Sequence, residues 1–186
     1  EHKKNEEKIL EDGTVTTYYE YKKLMEFSFS DYNEINEYCK GKIGWFASAW
    51  DIESVLFLRA FTDIIKVPSA LITNLELLKL CRENFKTVII STGMSTEEEI
   101  ITAINIGKPT IVMHCNSSYP ARIDELNLNY IQWLKKESAS LHSSINFGVG
   151  YSGHETGLQM TLCAVALGAT WIERHVTLDR HMWGSD

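Results

Sequence analysis

Two histidines near the carboxyl end of the chain have the residue type and spacing of a metal site. His154 lies just past a short apolar segment that predicts a β-strand, His175 lies near the end of another, and a single apolar helix separates the two strands. Imidazoles at the ends of adjacent strands are able to share one divalent cation and leave coordination positions for water or substrate. The alternative is two unrelated polar histidines on loops, and the spacing alone leaves both interpretations open.

Lys66 is a second candidate, because it lies within the otherwise apolar strand segment 63–69. An ammonium group in such a strand must find a partner or lose its charge. Inside a barrel it would bind a phosphate or carboxylate. The alternative is a lysine whose side chain extends to the surface.

Several smaller polar side chains occur at or just after predicted strands. The hydroxyl donors are Ser48, Ser69, Ser91 and Ser117. Taken singly, each is typical of a cap or turn. Cys115 has no adjacent base, so we expect a small buried thiol rather than a nucleophile. Tyr119 precedes Pro120, and this pair predicts a turn. A contact between Tyr119 and the substrate is the second interpretation.

The elements that carry these residues alternate regularly between strand and helix. Apolar strands are predicted at residues 44–50, 63–69, 87–91, 110–114, 147–151 and 171–176. Helices are predicted between them, beginning at caps such as Asp51, Asn74 and a Ser95–Glu98 capping box, and one of them is predicted over residues 126–136. Alternation of this kind predicts a parallel sheet covered by helices.

Polar residues recur at most of the predicted strand ends, including His114. In a (β/α)₈ barrel that edge carries the active site, whereas an open doubly wound sheet gathers ligand groups near one switch point. The expected fold is therefore α/β, a partial TIM barrel that contains about strands 3 to 8.

Two segments are expected along the chain. Residues 1–13 are charged and predict a tail or exposed helix, followed by a short helix before residue 29, with Ser30 capping the next helix. Residues 14–186 form the partial barrel. We expect a piece of a longer protein, inactive alone, whose strands near Gly44 and Trp171 are sheet edges without a ladder between them.

Composition limits the class of partner. The 186 residues carry a formal net charge of −7, which argues against non-specific nucleic-acid binding but allows a small anionic substrate. No apolar run reaches transmembrane length, so no membrane partner is expected. The four cysteines form no Cys-x-x-Cys pair, which favours a reducing compartment, the cytoplasm.

An ordered set of motifs resembles the N-acetylneuraminate (sialic acid) synthase family. The motifs are FASAWD (46–51), IKVPS (65–69), ISTGMST (90–96), HCNSSYP (114–120), GYSGHETG (150–157), ALGATWIERHVTLDR (166–180) and MWGSD (182–186). Each is weak alone, but the order, with YSGH before IERHxTLD, is specific. The resemblance covers roughly residues 14–186.

The resemblance implies a reaction and a cofactor. Phosphoenolpyruvate would condense with an N-acylmannosamine-type amino sugar, with C–O cleavage that releases phosphate. The implied cofactor is a divalent metal, commonly manganese, with Mg²⁺ or Co²⁺ as alternatives. The full-length protein would be a homodimer.

The resemblance also assigns roles to individual residues. It implies His154 and His175 as metal ligands, and Asp186 and Tyr119 as catalytic residues near the sugar. The implied phosphoenolpyruvate pocket contains Lys66, Ser69, Ser48, Ser91 and Ser117.

Three positions depart from the family pattern. Leu71 stands where a glutamate is frequent, Ser117 where asparagine is common, and Gly153 where aspartate is usual. The family's first two strands, with a further acid and a lysine, have no match. Two alternatives therefore stay open: another phosphoenolpyruvate-using 3-deoxy-keto-acid synthase, or a degenerate, non-catalytic homologue.

Overall fold

The computed structural model describes residues 5–10, 12–140 and 145–179. The chain divides into two compact units, residues 1–44 with 176–186, and residues 45–175. Within the described ranges, no helix combines the length and apolar character needed to cross a membrane.

The described residues of the first unit form a small hairpin and two helices. Its elements are β1 (Glu7–Ile9), β2 (Val15–Thr17), α1 (Tyr18–Leu24) and α2 (Phe29–Cys39). The prediction of a tail or helix over residues 1–13 is wrong for β1, which pairs antiparallel with β2. Gly13 adopts a φ of 83° in the connecting turn, a conformation that glycine reaches without steric cost.

Helix α2 begins two residues earlier than the sequence predicted. Ser28, not Ser30, is its N-cap: the Ser28 hydroxyl accepts from the Asp31 amide, and the Asp31 carboxylate accepts from the Ser28 amide at 2.6 Å. This reciprocal capping box satisfies two backbone donors at the helix start.

In the second unit, the part of the chain that the structure describes forms a six-stranded parallel sheet with intervening helices. The strands are β3 (Ala47–Ser48), β4 (Ile64–Val67), β5 (Thr87–Ser91), β6 (Ile111–Cys115), β7 (Gly148–Gly153) and β8 (Trp171–Arg174). The helices are α3 (Ile52–Leu58), α4 (Leu75–Asn84), α5 (Glu97–Gly107), α6 (Asn129–Ala139) and α7 (Gln159–Ala166). Strand order follows chain order, and β3 and β8 are the sheet edges. The predicted partial (β/α) barrel is confirmed.

Some predicted bounds were displaced by local turns. The capping box of α5 is Thr96–Glu99, one residue later than the predicted Ser95–Glu98 pair. Helix α6 begins at Asn129 rather than at residue 126, because a single 3₁₀ turn, Ile123–Glu125, and a positive φ of 44° at Asn127 intervene.

The two faces of the sheet differ in chemistry. Side chains alternate along a strand, so every second residue shares a face. On one face, here called the inner face, Ile89, Ile111 and Met113 form a buried cluster with Ile64 packed against it. The opposite face is buried under the helices, with Val67, Ile90, Val112 and Tyr151 among its buried residues. The inner face is the one that carries the predicted site.

Candidate active site

The inner face changes from apolar to polar toward the carboxyl ends of the strands. Strand register places Ser48 beside Lys66, Cys115 beside Ser152, and Ser152 beside Glu173. Parallel strands align their carboxyl ends at one edge of the sheet, so these polar side chains collect at the edge where barrel enzymes bind substrate.

Lys66 is paired with a carboxylate that the sequence analysis did not single out. Its ammonium lies 2.5 Å from Glu173 Oε1, and both side chains are mostly buried. The Ser152 hydroxyl donates to the same oxygen at 2.7 Å. Burial raises the pKa of Glu173, but the hydrogen bond and charge of Lys66, helped by Ser152, outweigh it and leave that pKa below its ordinary value. The lowered pKa favours the carboxylate form of Glu173 opposite the Lys66 side chain.

The two predicted metal ligands lie next to each other. The ring centroids of His154 and His175 are 4.9 Å apart. Tyr119 stacks on both rings, at centroid distances of 3.9 Å and 5.5 Å, and its hydroxyl lies 2.8 Å from His154 Nε2. His175 Nε2 lies 3.5 Å from Glu173 Oε1. The structure thus brings together three residues that the resemblance implied and connects them to the Lys66 pair.

The state of His154 suits a cation. Its Nδ1 is buried and makes no hydrogen bond within the usual distance and angle limits. Burial lowers the pKa of His154, His175 lowers it further, and the nearby backbone of Asn116 opposes the shift. The neutral imidazole is the form that binds a metal.

The donor set fits a metal held by two protein imidazoles. In the part of the chain that the structure describes, no group of three or more His, Cys, Asp or Glu residues is arranged to hold an ion. The remaining coordination positions would belong to water, substrate or residues outside that part. Asp186, predicted as catalytic, lies outside the described residues.

A second polar group lies at the ends of β4, β5 and β6. The Gly93 amide donates to Ser69 Oγ at 2.9 Å, and Ser69 Oγ lies 3.2 Å from Cys115 Sγ. A Cβ at Gly93 would collide with Ser117 Oγ and come within 3.0 Å of both Ser69 Oγ and Cys115 Sγ. These four residues are called the serine cradle here. Its hydroxyls are the type of donor that holds a phosphate or carboxylate.

Ser91 points from the same face but differs in its contacts. Its hydroxyl is buried and has no hydrogen-bond partner among the described residues. An unpartnered buried hydroxyl is costly unless a ligand or water completes it. Ser48 lies beside Lys66 in the register, so all the predicted pocket residues fall on the inner face or at its edge.

His114 lies elsewhere, although it also ends a strand. It is buried on the helix side of the sheet, where its Nε2 lies 2.7 Å from the Leu126 carbonyl and its ring stacks on Tyr130 at 5.7 Å. Its grouping with the strand-end site residues was wrong, because the side chain of the residue before Cys115 points to the opposite face. Leu71, the first departure from the family pattern, lies in a single 3₁₀ turn after β4.

Glu173 was missed for a reason that the sequence contained, whereas Ser152 was expected at a strand end. Glu173 is two residues before His175, as Ser152 is two residues before His154. Strand periodicity places residues two apart on one face. Counting backward from His175 would have found Glu173.

Comparison with known proteins identifies related sequences and structures. A family profile described as the NeuB family matches residues 1–186. The N,N'-diacetyllegionaminic acid synthase of Campylobacter jejuni is 39% identical over 155 residues, 79% of this chain and 44% of that protein. The N-acetylneuraminate-9-phosphate synthase of Drosophila melanogaster is 37% identical over 187 residues, 97% of this chain and 49% of that protein.

A solved structure has the same fold. The crystal structure of the N-acetylneuraminic acid (sialic acid) synthetase from Leptospira borgpetersenii superimposes with a TM-score of 0.78 at 36% identity, and the match covers 85% of this chain and 55% of that one. The chain spans about half the length of the curated relatives it matches.

Proposed function

Because this chain belongs to the NeuB family, we propose that it forms the catalytic barrel segment of a nonulosonic-acid synthase. The proposed reaction condenses phosphoenolpyruvate with an N-acylmannosamine-type sugar. Its cofactor would be a divalent cation, Mn²⁺ first and Mg²⁺ or Co²⁺ as alternatives. The complete protein would be a cytoplasmic homodimer.

One observation carries the proposal. A mostly buried lysine, its carboxylate partner and two adjacent imidazoles meet at the carboxyl end of a partial barrel, with Lys66 and Glu173 joined at 2.5 Å. A cation for an acidic substrate and two ligands for a metal are the groups that this reaction requires in one place.

The proposed reaction forms one C–C bond and breaks one C–O bond. The C3 carbon of phosphoenolpyruvate attacks the aldehyde carbon of the open-chain sugar and forms the new C–C bond, and the aldehyde oxygen takes up a proton to become a hydroxyl. Water adds to C2 and loses a proton. The bond from C2 to the bridging oxygen then breaks, phosphate leaves with that oxygen and takes up the proton that the C2 hydroxyl gives up, and C2 becomes a ketone.

The residues of the candidate site each have a role in these bond changes. Lys66 would leave Glu173 and bind the phosphate or carboxylate of phosphoenolpyruvate, with hydroxyl donors from Ser48, Ser91 and the serine cradle. His154 and His175 would hold the cation. When bound, the cation supplies Lewis-acid polarisation of the aldehyde oxygen. The Tyr119 hydroxyl, 2.8 Å from His154, would orient that imidazole or the sugar.

Steady-state assays of the complete protein test the proposal. Phosphoenolpyruvate should be consumed with N-acetylmannosamine, its 6-phosphate or a related N-acyl sugar, and activity should vanish after chelation and return with Mn²⁺. Phosphoenolpyruvate labelled with ¹⁸O at the bridging position should yield labelled phosphate, because C–O cleavage sends that oxygen with the leaving group.

Two outcomes would contradict the proposal. Turnover with arabinose 5-phosphate or erythrose 4-phosphate, and none with amino sugars, would assign the chain to a different 3-deoxy-keto-acid synthase. Absence of both metal binding and turnover would assign it to the non-catalytic alternative.

A further inference from the structure

We propose that Glu155 and Arg174 form a lock that fixes the separation of His154 and His175, and that these two residues are positioning residues for the metal site. The inference rests on the proposed function, because it assumes that the two histidines bind one cation.

The sequence positions of the pair are the first observation. Glu155 directly follows His154, and Arg174 directly precedes His175. The ladder between β7 and β8 ends at the pairing of Gly153 with Arg174. Both histidines therefore lie beyond the last paired residues of their strands, where backbone hydrogen bonds no longer set the distance between the two segments.

Beyond the ladder, the Arg174 guanidinium connects the two segments by hydrogen bonds. It donates to Glu155 Oε1 at 2.6 Å, to the Glu155 backbone carbonyl at 2.6 Å and to the Gly157 backbone carbonyl at 3.1 Å. Two of these bonds reach main-chain atoms after His154. The planar guanidinium, with several fixed donors, thus connects the end of β8 to the segment that follows β7.

Glu155 is itself held rigidly. Its residue exposure is 3%, and the Tyr151 hydroxyl donates to Oε2 at 2.8 Å while Thr161 Oγ1 donates to Oε1 at 3.3 Å. A carboxylate with these donors and one guanidinium partner has little freedom to move. The lock is therefore anchored in β7 and in helix α7.

Gly153 gives an independent observation. A Cβ at this position would collide with Arg174 Nη1, lie 2.7 Å from Glu155 Oε2 and lie 2.9 Å from the Tyr151 ring. The space that a side chain at 153 would need is filled by the lock. Glycine, glutamate and arginine at these three positions are therefore mutually dependent, which gives the departure at Gly153 a structural reason.

A purely stabilising role for the ion pair makes a different prediction from a positioning role. A stabilising pair changes the free energy of unfolding and leaves the metal affinity of the folded protein alone. A positioning pair changes metal affinity in protein that is still folded, because groups that orient metal ligands typically contribute about 10- to 100-fold to affinity.

The test measures Mn²⁺ affinity of the complete protein by electron paramagnetic resonance of free Mn²⁺, with folding followed by circular dichroism. Arg174→Lys keeps the charge but loses the fork, and Arg174→Met loses both. We expect Mn²⁺ affinity to fall about 10-fold or more in Arg174→Lys, further in Arg174→Met, and less in Glu155→Gln, which retains acceptor and shape. Lys86→Met is the matched control, because it removes an exposed ion pair of the same 2.6 Å length to Asp63.

The outcomes separate the inference from the proposed function. If the unmodified protein binds Mn²⁺ and folded Arg174→Lys and Glu155→Gln bind it within twofold of that affinity, the lock does not position the histidines and the inference is wrong. If the unmodified protein binds no Mn²⁺, the metal site fails first and the inference falls with it. Should Arg174→Met not fold, Arg174→Lys and Glu155→Gln decide.

Discussion

The Lys66 ammonium meets the Glu173 carboxylate at 2.5 Å although three strands separate β4 from β8 in the sheet. In a flat sheet, four strand spacings of about 4.8 Å would hold these backbones roughly 19 Å apart. The contact therefore reports the curvature of the sheet, which brings the inner face around toward itself. It also predicts how the site responds when either partner is removed.

Lys66→Met and Glu173→Gln should change anion binding in opposite directions. Loss of the ammonium should weaken phosphoenolpyruvate binding and lower kcat/KM. The fall in kcat/KM should correspond to a loss of about 2–4 kcal/mol of transition-state binding free energy. Loss of the competing carboxylate charge should tighten the binding of inorganic phosphate, since Lys66 then loses the anionic partner that it has among the described residues. Calorimetric titration of the two variants with inorganic phosphate measures the change in anion affinity in each. Equal affinity in the two variants would show that the pair does not compete with the anion.

Gly93→Ala should weaken the binding of phosphoenolpyruvate at the serine cradle without unfolding the protein. The added methyl group would collide with Ser117 Oγ and press on Ser69 and Cys115, so these side chains must move. We expect KM for phosphoenolpyruvate to rise at least 10-fold, which corresponds to about 1.4 kcal/mol. Gly44→Ala is the control, because nothing lies within 4 Å of its added Cβ. An unchanged KM in Gly93→Ala would exclude the cradle from substrate binding.

Thr96→Ala should destabilise the fold more than Ser95→Ala. Thr96 caps α5, accepting from the Glu99 amide at 3.3 Å, whereas Ser95 donates to the Gly93 carbonyl. Loss of an N-cap costs about 1 kcal/mol of unfolding free energy. Urea denaturation of both variants measures the difference. A larger loss of unfolding free energy in Ser95→Ala would indicate that the capping box is the Ser95–Glu98 pair that the sequence predicted.

His114 should make the fold less stable as the pH falls. Burial lowers its pKa below the ordinary 6.5, and the hydrogen bond to the Leu126 backbone only partly opposes this. Below pH 6.5 the unfolded chain binds a proton that the folded chain resists, so stability present above that pH is lost as the pH falls through the folded pKa.

His114→Asn should therefore flatten the pH dependence of stability. The slope attributable to one histidine is at most about 1.36 kcal/mol per pH unit. Unfolding free energies at pH 7.5, 6.5 and 5.5, compared between the unmodified protein and His114→Asn, isolate this contribution from other titrating groups. Parallel curves for the two proteins would mean that His114 is not the responsible group.

The sequence by itself determined the architecture. Apolar runs separated by caps and turns predicted six parallel strands, and Thr87–Ser91 was predicted with the bounds that β5 has. These features are local, because hydrophobic periodicity and capping depend on residues a few positions apart. The ordered motifs likewise identified the family and named the histidines that the structure places together.

Tertiary structure decided which polar residues meet. Lys66 and Glu173 are 107 positions apart, and only the curvature of the sheet makes them partners. Because side chains alternate along a strand, His114 lies on the helix side, whereas Cys115, one residue later, lies in the serine cradle. The lock between Glu155 and Arg174 depends on the space at Gly153, which no spacing rule predicts. Contacts of this kind arise from the packing of distant segments, and the sequence around each residue carries no record of the partner that packing will bring.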